Sequence, residues 1–256
     1  MKRRYYKASM LKNANILEEI KDIKSKHPFW GYRRIWAYLN YHKQLNISQN
    51  RVYRIMRQAD LLVKNNEKLK ATRTPNTSKP RPTRPNQWWG IDMTKIMIDG
   101  YGWLYAVIVI DWFSKKVVGH YIGEQAKSEH WLKALDMAAN KQFPNGIKGH
   151  HVQLMSDNGC QPTSIRFMKA CANTGVKQAF TSYNNPKGNA DTERFMRTMK
   201  EELVWINQWK SPIDFKSQFA DWIKTYNNQY LHSKLGYIPP VIFEQNFNQN
   251  TPSLAA

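Results

Sequence analysis

Three acidic residues stand at positions where a carboxylate needs an explanation. Asp92 interrupts the aromatic and aliphatic stretch QWWGIDMTKIMI, which predicts a strand. Asp157 ends the short apolar segment HVQLMSD, and Glu193 lies about one turn into a predicted helix that follows the turn-rich loop NPKGNA. A charge in an apolar strand is costly unless it is paired or bound to a metal. Because Mg²⁺ prefers oxygen ligands, we expect these three acids together to hold divalent metal.

Two of the three acids also have an ordinary structural explanation. Asp157 precedes Asn158-Gly159 and could simply form a turn, whereas Glu193 could be an acid favoured by a helix N-terminus. Asp92 is harder to explain in this way, because its neighbours are apolar. Three further acids fit structural roles better, as a hairpin turn, a strand end and a helix N-terminal residue: Asp99, Asp111 and Asp191.

The charge of the chain is large and uneven. The 256 residues carry a formal net charge of +20, and residues 1–85 contain 21 Lys and Arg against 5 Asp and Glu. The remainder is close to neutral at +4. Such basicity points first to nucleic acid and second to an anionic membrane surface. A hydrophobic content of 41% is sufficient for a packed core and argues against wholesale disorder.

The basic N-terminal third shows the pattern of a small helical module. Apolar residues at helical spacing predict helices from about Asn15, across Tyr32–Leu39 and after Ser48. Three short helices ending in a basic one suggest a helix-turn-helix module, and the alternative is a helical bundle with a solvated arginine face. The candidate DNA contacts are Arg33, Arg34, Arg51, Arg54 and Arg57.

The patterns divide the chain into a helical domain at 1–63, a basic Pro-rich linker at 64–86 and a second domain at 87–256. In the second domain, three strands in a meander precede helix, strand, helix, strand and helix. This order predicts an α/β fold built on a mixed sheet. Ligands of such sheets bind at the carboxyl ends of parallel strands.

Cysteine content and hydropathy bear on the compartment. Cys160 and Cys171 are the two cysteines, and their spacing is not that of metal ligands. No apolar run approaches the roughly 20 residues of a membrane span, and the N-terminus lacks the apolar core of a signal peptide. We therefore expect a cytoplasmic protein without a membrane partner.

The acids and their surroundings resemble a known family. Asp92 in IDMT, Asp157 in SDNG and Glu193 in GNADTERF, with 35 residues between the last two, resemble the DDE transposases of bacterial insertion sequences. HPFWGYRRIWAYL is similar to an upstream helix-turn-helix motif of that group, and TYNNQYLHSKLGYIPPVIFE is similar to its C-terminal end. The resemblance is strongest to the second-frame catalytic product of two-frame elements. It extends more distantly to retroviral integrases.

This resemblance implies an RNase H-like fold and a DNA transposase. Asp92, Asp157 and Glu193 would be catalytic and would bind two Mg²⁺ (or Mn²⁺) ions, with Asp92 bridging both. Water would free a 3′-hydroxyl at the element end, and that hydroxyl would attack a target phosphate. Lys200 matches the family's basic residue after the glutamate. Together with Arg197 on the same helix face, it would grip DNA near the scissile bond.

The resemblance also implies partners. These are double-stranded DNA, both as terminal inverted repeats and as target, and at least one further copy of the chain. A first-frame helix-turn-helix protein would be fused to it or associated with it, and the protein would be found at the nucleoid. The N-terminus lacks the paired His and Cys of the retroviral zinc module. Two alternatives stay open: a non-catalytic sequence-specific DNA-binding protein and an RNase H-like nuclease.

Overall fold

A computed structural model describes residues 2–63, 80–181 and 189–250, with side chains from residue 13 onwards. The chain forms two compact units. The first comprises Met1–Arg73 and Leu231–Tyr237, and the second comprises Thr74–Tyr230 and Ile238–Ala256. Residues 231–237 thus group with the N-terminal unit, although they lie within the predicted second domain. The predicted domain boundaries stay a prediction, and most of the predicted linker lies outside the described residues.

The N-terminal unit is helical, as the apolar spacing predicts. Its helices are α1 (Lys2–Lys26), α2 (Tyr32–Tyr41) and α3 (Gln49–Gln58), and a 3₁₀ turn at Ser233–Leu235 joins them. Helix α1 begins well before the first residue of its predicted apolar pattern. The core consists of side chains at helical spacing, all fully buried: Ile20, Ile35, Leu39, Val52 and Met56.

The second unit contains five strands and five helices among the described residues. The strands are β1 (Trp88–Ile98), β2 (Gly102–Asp111), β3 (Val117–Gly123), β4 (Gln153–Ser156) and β5 (Lys177–Phe180). The helices are α4 (Ser128–Gln142), α5 (Ile165–Thr174), α6 (Ala190–Met199), α7 (Pro212–Gln229) and α8 (Pro240–Asn250). A π-helical turn at Lys200–Val204 follows α6 directly.

The strands form one mixed sheet in the order β3-β2-β1-β4-β5. The β1–β2 and β2–β3 pairs are antiparallel, whereas β1–β4 and β4–β5 are parallel. The predicted meander followed by parallel strands is therefore confirmed. Strand β1 lies in the middle of the sheet, between β2 and β4.

Successive side chains of β1 point to opposite faces of the sheet, and one of these faces is packed in the core. Trp89 and Ile91 are buried in a core cluster that includes Trp131 of α4, Phe167 of α5 and Leu154 of β4. Because successive side chains of a strand point to opposite faces, Gly90 and Asp92 belong to the other face. That second face is the one on which α6 begins.

Helix α6 is anchored by its apolar side. Phe195 and Met199 are buried, with 3% and 0% of their surfaces exposed, so they belong to the core. The Phe195 ring packs edge-on against Tyr226 of α7 at a centroid distance of 5.0 Å. Asn227 of α7 also bonds both backbone groups of Val117 on β3. The polar side of α6, which carries Glu193, is thereby fixed in orientation.

No helix in the described part of the chain is both long enough and apolar enough to cross a membrane.

Candidate active site

Strand pairing brings the first two predicted acids to the same level of the sheet. The parallel register of β1 and β4 pairs Gly90 with Met155. Asp92 and Asp157 each lie two residues beyond this last pair, Asp157 just past the end of β4, so the register leads both acids to the same end of the pairing. Neighbouring strands lie about 4.8 Å apart, and partners at one level project from the same face. The two acids thus come close in the fold, although 64 residues separate them along the chain.

Gly90 allows the start of α6 to approach this face closely. A Cβ atom at Gly90 would lie 2.0 Å from Thr192 Oγ1 and 3.0 Å from Asn189 Oδ1. Asn189 is the N-terminal cap residue of α6, and its amide donates a long hydrogen bond of 3.5 Å to the Ile91 carbonyl. Glu193 directly follows Thr192. It is therefore carried on the face of the sheet to which Asp92 belongs.

The electrostatics of Asp92 show that the three acids and one lysine interact. Burial raises the pKa of Asp92 from 3.8 to about 6, and the Met93 backbone N–H opposes that rise. The charges of Asp157 and Glu193 raise the pKa of Asp92 further, whereas Lys200 lowers it. Nearby like charges disfavour ionisation of a carboxyl group. Four predicted site residues, from β1, from the end of β4 and from α6 with its π-helical continuation, thus lie close enough to interact electrostatically.

The carboxylates are partly committed to local hydrogen bonds. Asp92 Oδ1 accepts from the Met93 N–H at 2.8 Å, and Asp157 Oδ1 accepts from the Gly159 N–H at 3.1 Å. The second bond is the turn interaction that offers an ordinary explanation for Asp157. Among the residues that the structure describes, no group of three or more His, Cys, Asp or Glu side chains is arranged so that it could hold a metal ion.

The two predicted basic residues of α6 differ in their surroundings. Lys200 is half-buried, begins the π-helical turn and acts electrostatically on Asp92. Short π-helical turns are frequent at functional sites. Arg197 is exposed and pairs with Glu201 at 2.7 Å, one turn further along the chain. The structure therefore groups Lys200, but not Arg197, with the carboxylates.

Sequence reasoning missed the residues that hold the first turn of α6. Trp112 Nε1 donates to Thr192 Oγ1 at 3.1 Å, and Lys115 Nζ lies 3.2 Å from Asp191 Oδ2. Lys115 gave no local signal, because its role depends on contacts made by the folded chain. An isolated glycine in a strand often marks a close backbone approach, so Gly90 was a usable signal.

The predicted arginine contacts of the N-terminal unit are not equivalent. Arg54 and Arg57 are exposed on α3, and Arg33 is exposed on α2. The half-buried Arg34 guanidinium lies 5.5 Å from the centre of the Trp30 ring. Arg51 donates two hydrogen bonds to Asn13 Oδ1, at 3.0 and 2.8 Å, and so joins α3 to α1. Arg54 and Arg57 are thus the most accessible cations of α3.

Comparison with known families and structures agrees with this architecture. Residues 82–186 and 174–240 each match an integrase core domain, and residues 11–68 match an HTH-like domain. A chain of the simian T-cell lymphotropic virus intasome, solved with PP2A regulatory subunit B56 gamma, aligns over 86% of this chain and 76% of its own. Its TM-score is 0.56 at 16% identity. The integrase catalytic core domain of HTLV-2, solved in complex with magnesium, aligns over 64% of this chain and 99% of its own, with a TM-score of 0.50 at 16% identity. The fold is therefore RNase H-like. The match to the integrase core domain places the protein in the class of polynucleotidyl transferases.

Sequence relatives narrow the class further. An uncharacterized 31 kDa protein of insertion element IS600 from Shigella sonnei is 29% identical over 231 residues, covering 86% of this chain and 83% of the relative. Transposase InsD of insertion element IS2 from Escherichia coli is 24% identical over 233 residues, covering 89% and 77%. Over most of its length the chain is thus similar to insertion-sequence transposases, and its HTH-like domain is followed by an integrase core domain.

Proposed function

We propose that this transposase cleaves the ends of its insertion sequence and joins the freed 3′-hydroxyl to target DNA, with Asp92, Asp157 and Glu193 as its catalytic triad. The proposal is carried by the close packing of the start of α6, which bears Glu193, against β1 beside Asp92, together with the action of the Asp157 and Glu193 charges on the pKa of Asp92. If each acid served only its own turn or helix cap, the three carboxylates would not need to lie near one another. A shared cationic ligand would give one.

The triad has the chemistry of a divalent metal site. Its six carboxylate oxygens are hard donors of the type preferred by Mg²⁺ and Mn²⁺. Burial, and to a smaller extent repulsion from Asp157 and Glu193, raise the pKa of Asp92, and a bound cation would relieve that repulsion. When bound, a pair of such ions supplies Lewis-acid stabilisation of the phosphate and an activated nucleophile. Asp92, Asp157 and Glu193 would hold such ions, which requires their side chains to leave the arrangement of this structure, because that arrangement is not one of a metal site.

The surroundings of the triad play distinct roles in this proposal. Burial of Asp92 limits competing water, which strengthens its interaction with any cation. Lys200 brings a positive charge to the same place and would hold a phosphate beside the scissile bond. Arg197 would contact the flanking DNA backbone only after releasing Glu201.

The N-terminal unit would supply much of the affinity for DNA. Arg33, Arg54 and Arg57 are exposed and suited to phosphate contacts, and Arg34 could join them from its half-buried position. Arg51 would contact DNA less directly, because Asn13 holds its guanidinium. The two DNA partners would be the terminal inverted repeats and the target. Pairing of two ends requires at least two copies of the chain, alone or with a first-frame helix-turn-helix partner.

The test is a joining assay with Mg²⁺ or Mn²⁺, using the full chain, a duplex bearing the element end and a supercoiled target plasmid. Asp92→Asn, Asp157→Asn and Glu193→Gln should each abolish joining while leaving DNA binding intact. Asp221→Asn is the matched control, because Asp221 is an exposed acid of α7. Full joining by Glu193→Gln would refute the triad.

The same assay separates transposition from plain hydrolysis. A transposase yields target plasmid covalently joined to the duplex end. An RNase H-like nuclease would instead degrade an RNA–DNA hybrid and yield no joined product. A protein that only binds DNA would yield neither product.

A further inference from the structure

The loop between β2 and β3, residues 112–116, contacts the first turn of α6 through two independent interactions. The buried Trp112 indole N–H donates to Thr192 Oγ1 at 3.1 Å. The Lys115 ammonium lies 3.2 Å from Asp191 Oδ2, and each side chain of this pair is only 11% exposed. Asp191 and Thr192 immediately precede Glu193. The loop therefore holds the two residues from which Glu193 is displayed.

The loop itself is built to hold Lys115 in one place. Asp111 is fully buried and accepts hydrogen bonds from the Ser114 N–H and hydroxyl, at 2.7 and 2.6 Å. The Lys115 N–H donates to the Asp111 carbonyl at 2.9 Å, and Tyr226 donates its hydroxyl to the Lys115 carbonyl at 3.1 Å. Lys115 has a φ of 61°, a left-handed conformation that is uncommon for a residue other than glycine. Such conformations persist where the surrounding structure over-determines them.

Resting on the function proposed above, we propose that Lys115 and Asp191 are positioning residues, which with Trp112 and Thr192 fix the first turn of α6 so that Glu193 faces Asp92 and Asp157. Neither Lys115 nor Asp191 contacts the reacting atoms in this scheme. Their ion pair acts through the helix, as hydrogen-bonding partners in an outer shell orient metal ligands. Asp191 is thus more than an acid favoured by a helix N-terminus.

The chain offers a matched control in the adjacent residue. Lys116 belongs to the same loop and forms a similarly sheltered ion pair, with side-chain exposures of 21% and 10%, but its partner is Glu244 of α8. Lys116→Met and Lys115→Met therefore remove the same charge and a comparable pair. Only Lys115→Met should loosen the first turn of α6, because only Lys115 pairs with a residue of that helix.

The first readout needs no metal and no substrate. Hydrogen exchange of peptides covering 190–199 is measured by mass spectrometry in the metal-free full chain. Asp191→Asn and Lys115→Met should accelerate exchange there, whereas Lys116→Met should not. The exchanged pair Lys115→Asp with Asp191→Lys should restore protection, because Asp tolerates the left-handed conformation of position 115. Thr192→Val is nearly isosteric and serves if a charge variant fails to fold.

The second readout is the binding of Mn²⁺ followed by electron paramagnetic resonance. Asp191→Asn and Lys115→Met should raise the half-saturating Mn²⁺ concentration by about 10–100-fold, the effect typical of outer-shell partners. Equal exchange and equal Mn²⁺ affinity for Lys115→Met and Lys116→Met would overturn the positioning role. If the wild-type chain bound no Mn²⁺ through Glu193, the proposed metal function would fail, while the exchange result would still decide whether the ion pair orders α6.

Discussion

Substituting Asp92 by Asn should stabilise the folded protein above pH 6, although we expect the same change to abolish joining. The folded state raises the pKa of Asp92 from 3.8 to about 6, chiefly through burial and further through the charges of Asp157 and Glu193. A raised carboxyl pKa means that the folded state holds the proton more tightly than the unfolded chain. The cost of ionisation is therefore absent below pH 3.8 and grows as the pH rises towards 6.

The size of the effect follows from the same values. One pKa unit is worth about 1.4 kcal/mol, so ionising Asp92 costs the folded state about 3 kcal/mol at pH 7.5. Asn is neutral and nearly isosteric, and its carbonyl oxygen can still accept from the Met93 N–H. Asp92→Asn should therefore raise the free energy of unfolding by about 3 kcal/mol at pH 7.5 and by about zero at pH 3.5.

The assay is urea unfolding of the full chain, followed by tryptophan fluorescence at pH 3.5, 5, 6 and 7.5. Buried Asp111 also has its pKa raised to about 6, mainly by burial, so wild-type stability falls in the same window. The difference between wild type and Asp92→Asn isolates Asp92. Asp99→Asn changes an exposed acid of the β1–β2 turn and is the control. A difference that does not grow with pH, or a destabilised variant at pH 7.5, would refute this reasoning.

Three further predictions concern other parts of the molecule. Gly90→Ala should lower stability by about 1–3 kcal/mol in urea unfolding and impair joining, because its Cβ would overlap the start of α6. Replacing exposed Arg54 or Arg57 by Ala should reduce the slope of log K against log salt for DNA binding by about 1 each. In thiol titration, Cys160 should react readily because it is exposed, whereas Cys171 should react only after denaturation, because burial raises its pKa to about 12.

Each of these has a control or a contrary outcome. Gly31→Ala introduces a Cβ with no atom within 4 Å and should be neutral, and equal effects at both glycines would contradict the packing argument. Lys21→Ala should leave the salt slope unchanged, because its ammonium pairs with Glu18 at 2.9 Å. Two rapidly reacting thiols in the native chain would contradict the burial of Cys171.

The strand and helix pattern was largely readable from the sequence, because it depends on local periodicity. The continuous apolar run of β2 predicts burial on both faces, and its residues from Ala106 to Ile110 are at most 1% exposed. The end of α5 was equally readable, since Gly175 adopts the left-handed conformation that stops a helix. The placement of β4 beside β1, and the register of that pair, were not readable, because they depend on a pairing distant in sequence.

The candidate site was readable only in part. An acid within an apolar strand is conspicuous in a sequence, and so Asp92 stood out. The residues that support α6 are ordinary by type, and Lys115 in particular looks like any basic residue of a loop. Its significance arises from an ion pair that spans 75 residues of sequence. Local patterns carry no information about such a contact.

The most direct test of the central claim is an anomalous difference map from crystals of the full chain grown with Mn²⁺. The account predicts manganese peaks within coordination distance of the carboxylate oxygens of Asp92, Asp157 and Glu193 together. Manganese that is bound without Glu193, or the absence of any peak between Asp92 and Asp157, would contradict it.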